Sequence, residues 1–72
     1  MSDEDYGIGL RNQLMLLLIQ HKERLIAQGD YDYMKPVILE SIARLGLDPA
    51  VVQRDAHRLA NLILFNKSFL EN

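Results

Sequence analysis

Leu14-Met15-Leu16-Leu17-Leu18-Ile19 is the run on which the fold turns. It sits inside a longer segment, Leu10 to Gln28, whose spacing predicts one helix. At 100° per residue, Leu10, Leu14, Leu17, Leu18 and Leu25 fall on one narrow stripe, joined by His21. Ile8, Met15, Ile19 and Ile26 fall on a second stripe, rotated by about a third of a turn. Leu16 belongs to neither. Arg11, Asn12, Gln13, Gln20, Lys22, Glu23 and Arg24 take much of the remaining circumference. A surface helix ordinarily shows a single apolar face, and this arc is too wide for that.

Two arrangements accommodate such a helix. In one, it is the centre of a small bundle and both stripes are used internally. In the other, one stripe meets the chain's own helices and the second meets another copy or a partner. The second arrangement is the expectation, because short chains commonly need association to bury enough surface. A membrane span is not expected. The continuous apolar run is six residues long, against roughly 20 for a bilayer.

The chain has 72 residues, no cysteine, 49% hydrophobic residues and a formal net charge of −2. That is one domain, of a size that buries only about 60% of its unfolded surface. The apolar fraction favours a folded core over disorder. Without cysteine there is neither a disulfide nor a thiolate-held zinc to staple it. Slight net acidity is not the profile of a non-specific nucleic-acid binder. Asp3, Glu4 and Asp5 open the chain where a signal peptide would be basic and then apolar, so a cytoplasmic protein is expected.

Residues 1–9 read as an acidic, partly ordered lead-in, and residues 10–72 as a single helical domain. The first helix, over about 8–28, is expected to stop at Gly29, a natural residue for the left-handed position past a helix end. Gly29-Asp30-Tyr31-Asp32-Tyr33 then reads as a turn, with both tyrosines available for an interface. The second helix is predicted over about 34–45, with Pro36 in its first turn and Ile38, Ile42 and Leu45 as its main stripe. Gly46 ends it. Asp48-Pro49 opens the third helix, over about 49–70, as N-cap followed by a proline already set for the first turn. Val52, Ala56, Leu59 and Ile63 line its expected core stripe. Its second half, with Leu62, Ile63, Leu64, Phe65, Phe69 and Leu70, is apolar on most sides. Short connections and the absence of sustained alternation give an all-α, three-helix bundle, expected to be dimeric.

No constellation for catalysis stands out. Ser2, Ser41 and Ser68 are far apart, and none sits in a nucleophile elbow. His21 lies on an apolar stripe and His57 on a polar face, without the local spacing of a metal site. Gly7-Ile8-Gly9 lacks the rest of a phosphate-binding loop. No enzyme activity, cofactor, metal or small-molecule substrate is expected.

The stretch Ile42-Ala43-Arg44-Leu45-Gly46-Leu47-Asp48-Pro49-Ala50-Val51-Val52-Gln53-Arg54 resembles the middle of a helix-turn-helix. Small or apolar residues precede a turn glycine, an apolar residue follows, and then come an N-cap and a second helix. The resemblance implies that the second helix would enter the major groove, with Gln53, Arg54, His57 and Arg58 reading bases and Arg44 on phosphate. It covers only the second and third helices. Asp55 stands where the motif usually has an apolar residue, and Ile42 where alanine is common.

The favoured expectation is therefore a small, non-enzymatic protein-interaction module, of the kind found among bacterial or phage accessory proteins. As an adaptor, inhibitor or regulatory subunit, it would act as a homodimer through Met15, Ile19, Ile26, Tyr31, Tyr33, Leu62, Phe65 and Phe69. The alternative is a helix-turn-helix DNA-binding regulator.

Overall fold

The structure, a computed structural model, describes the backbone of residues 3–71 and the side chains of residues 4–67. It contains three helices: α1 over Asp3–Lys22, α2 over Gln28–Arg44 and α3 over Pro49–Glu71. The all-α, three-helix architecture read from the sequence is the one found. Three helix ends differ from the expected positions: both ends of α1 and the start of α2.

At its start, α1 begins at Asp3 rather than near Ile8, so the acidic residues expected to form a loose lead-in make its first turn. The carboxylates of Glu4 and Asp5 lie at the positive end of the helix dipole. At its finish, α1 stops at Lys22, well short of Gln28. Arg24 takes a left-handed conformation, φ 60°. The amide of Leu25 then donates to the carbonyl of Gln20 at 2.8 Å, and that of Arg24 to His21 at 3.2 Å. This pair of bonds is a Schellman ending, which satisfies carbonyls the helix would otherwise leave open.

The early stop frees the next residues for α2, which starts six residues before the expected Met34. Gly29, Asp30, Tyr31, Asp32 and Tyr33 are helical and do not form the turn anticipated from their composition. Pro36 accordingly lies inside the helix. It removes one backbone donor, and the carbonyl of Asp32 loses its partner. Both residues are exposed, so water reaches that carbonyl. At the other end Gly46, φ 80°, closes α2 as expected. Its amide donates to Ala43 at 3.0 Å, and that of Leu47 to Ile42 at 3.4 Å. Asp48 then caps α3, its Oδ1 accepting the amide of Ala50 at 3.0 Å.

The helices run up, down, up. Gly7 approaches Leu47 at one end, where a Cβ on residue 7 would stand 2.8 Å from Leu47 Cδ1. Lys22 donates to Asn61 at the other end, and Lys67 Nζ bonds the Glu23 carboxylate at 2.9 and 3.0 Å. Thus α1 and α3 are parallel neighbours, and α1 is the central helix, touching α3 most and α2 next. The remainder of α3 continues past the end of α1, in a molecule 41 Å long and 25 × 21 Å across.

Leu14, Leu17 and Leu18 from α1, Ile38 and Ile42 from α2, and Ala56 and Ala60 from α3 form the core. The two alanines have no exposed surface, and their small side chains bring the backbone of α3 close to α1. Ala60 occupies the place expected for Ile63, which is 42% exposed. Leu25, read as part of the first stripe, lies beyond the end of α1 and is 72% exposed.

Candidate protein-interaction surface

Because α1 packs against two helices, it uses much of its wide apolar arc internally. Met15, Ile19 and Ile26, three of the four residues of the second stripe, lie half-buried against the chain's own core, as does Tyr31, while Ile8 is exposed. Met15, Ile19, Ile26 and Tyr31 were expected at an interface, and the structure gives them a packing role. The surplus apolar surface is centred elsewhere.

Leu16, the residue on neither stripe, is 54% exposed. Beside it across the α1–α2 seam stand Tyr33 (75%), Met34 (42%) and Val37 (49%). With Gln13 and Gln20 they flank an open groove of about 400 Å³, floored by Leu17 and Ile38. Of these four, Tyr33 is among the residues expected at an interface from the sequence, and Leu16, Met34 and Val37 are not. The signal was present in the spacing, since Tyr33, Met34 and Val37 share a face once the helix includes Tyr33. A turn over Gly29–Tyr33 would leave Tyr33 off that face.

A second exposed group lies on α3, at Leu62, Ile63 and Phe65. Leu62 and Phe65, expected at an interface, are exposed. Phe69 falls outside the described side chains.

A polar junction closes the α1–α2 turn. Tyr31 stacks on His21 with ring centroids 3.8 Å apart and an interplanar angle of 15°. Lys35 Nζ stands 5.6 Å from the centroid of the same tyrosine ring. Gln28 Nε2 donates to Asp32 Oδ1 at 2.8 Å, leaving Gln28 Oε1 to accept from His21 Nε2 at 2.9 Å. These bonds fix how α2 leaves the turn and hence which face of α2 borders the groove. Burial holds His57 below its usual pKa of 6.5, with further lowering from the charges of Lys35 and Lys22.

The residues named for DNA reading are divided by this packing. Gln53 and His57 are half-buried, with His57 close enough to the lysines of α1 and α2 to feel their charge. Arg54 and Arg58 are exposed, and Arg54 Nε lies 3.7 Å from Asp55. Arg44 pairs with Glu40 at 2.8 Å. The four base-reading candidates therefore do not form one outward row.

Among the described residues, no three His, Asp or Glu side chains gather as they would around a metal ion, and no helix is long and apolar enough to cross a membrane. No protein-family model matches the chain, and no curated protein or solved structure matches it.

Proposed function

We propose that this chain is a small, non-enzymatic protein-interaction module that works through the groove between α1 and α2. One observation carries the reading: Leu16, Tyr33, Met34 and Val37 are exposed together around an open apolar groove. Scattered exposed apolar residues are ordinary on a protein surface, whereas a contiguous patch with polar edges marks a contact site. Tyrosine and methionine suit such a role, one as a rigid ring with a hydroxyl, the other as an adaptable filler. On α2, Val37 stands four residues after Tyr33 and three after Met34, the pairings by which helices present anchors to a partner.

Photo-crosslinking tests the assignment. A photoreactive side chain is placed at Leu16 or Val37 and, as control, at exposed Ala43. The groove positions are expected to yield a discrete protein adduct under native conditions, and Ala43 none. Equal labelling from all three, or none from the groove, overturns the reading.

A further inference from the structure

We infer that the occupant of this groove is a second copy of the chain, laid so that the two α2 helices run antiparallel and meet at Val37. The inference rests on the groove being an interaction surface, and adds which partner covers it and in what register.

On α2, Asp30, Tyr33, Met34, Val37, Ser41 and Arg44 fall within an arc of about 100°. The core residues Ile38 and Ile42 lie to one side of that arc, toward α1 and α3. Only two residues of the arc are charged, and their signs are opposite. Both stand seven residues from Val37, about 10 Å along the axis. When two copies are laid antiparallel about Val37, Asp30 of each comes level with Arg44 of the other. Two-fold symmetry makes the pair twice. A parallel arrangement would instead set Asp30 beside Asp30 and Arg44 beside Arg44. The α1 border of the groove, Gln13, Leu16 and Gln20, carries no charge to oppose the approach. The face is thus its own electrostatic complement, as an isologous contact requires.

The bond that Arg44 now makes is no obstacle. Its ion pair with Glu40 is an i, i+4 contact with side chains 77% and 64% exposed. Such pairs contribute little and rearrange readily.

Sedimentation equilibrium on the full chain tests the register, with circular dichroism to confirm that each variant is folded. The wild type is expected to dimerise. Asp30→Arg alone and Arg44→Asp alone each place like charges together twice, and each should weaken the dimer by about tenfold or more. The double reversal should restore it, and Val37→Glu should abolish it. A dimer indifferent to the single reversals overturns the register. One that survives Val37→Glu uses another face, such as Leu62 and Phe65, and overturns the inference. A wild type monomeric at every concentration also overturns it. The crosslinks at Leu16 then separate the two claims: an adduct whose mass is not twice that of the chain leaves the groove assignment standing, and no adduct removes both.

Discussion

Arg24 and Gly46 hold the same position in two copies of one helix ending. Each follows its helix with a positive φ, 60° and 80° respectively, and each is bracketed by the same two backbone bonds. Glycine takes this conformation freely. An L side chain is strained there by roughly 1–2 kcal/mol.

The comparison gives a prediction of opposite signs at equivalent sites. Arg24→Gly should stabilise the fold by about 1 kcal/mol, the relief of strain being partly offset by glycine's larger unfolded-state entropy. Gly46→Ala should destabilise it by about 1 kcal/mol. Urea denaturation of both variants checks this. Loss of stability in Arg24→Gly would show that the turn is held by the arginine side chain.

The start of α2 offers a second gain. Ala27 is its N-cap, with extended backbone and no side-chain hydrogen bond to the first turn. Ala27→Ser supplies an acceptor for an open amide and should add about 1 kcal/mol. Thermal denaturation measures it, and an unchanged melting temperature would count against the assigned helix start.

His57 makes stability depend on pH. Its folded pKa lies below 6.5, chiefly through burial and then through Lys35 and Lys22. The neutral ring is therefore the form the fold favours. That contribution is fully present above pH 6.5 and is lost as pH falls from 6.5 through the lower folded value. Wild type should lose more stability than His57→Gln between neutral pH and about pH 5. Lys35→Gln should raise the His57 pKa in an NMR titration. An unmoved titration would place Lys35 too far away to act.

Adjacent residues on α1 should separate folding from binding. Leu17 is 2% exposed in the core, and Leu16 is 54% exposed at the groove. Leu17→Ala should cost about 2–5 kcal/mol, a large part of a small domain's stability. Leu16→Asp should change monomer stability by no more than roughly 0.5 kcal/mol while abolishing association. Equal losses of stability in the two variants would put Leu16 inside the core.

The sequence was most legible where one residue's backbone preference decides the outcome. Gly46 ends α2 and Asp48-Pro49 starts α3 where those residues led one to expect. It was least legible where tertiary packing overrides that preference. Arg24, with no glycine nearby, ends α1, while Gly29 and Pro36 sit inside α2. The stack of Tyr31 on His21 belongs to the folded chain and has no local trace. The wheel correctly showed α1 to be apolar over too wide an arc. It could not show that contact with two helices would half-bury Met15 and Ile19 and leave Leu16 uncovered. The exposed apolar surface of α1 next to α2 is therefore at Leu16 and not at Met15 and Ile19.

The most direct measurement is a concentration series of side-chain methyl NMR spectra on the wild-type chain. The groove account predicts that the methyl signals of Leu16, Met34 and Val37 shift together with increasing concentration, while those of Val51 and Ile8 stay fixed. Signals at the groove that remain unchanged from dilute to concentrated solution, or shifts confined to Leu62 and Ile63 on α3, would contradict it.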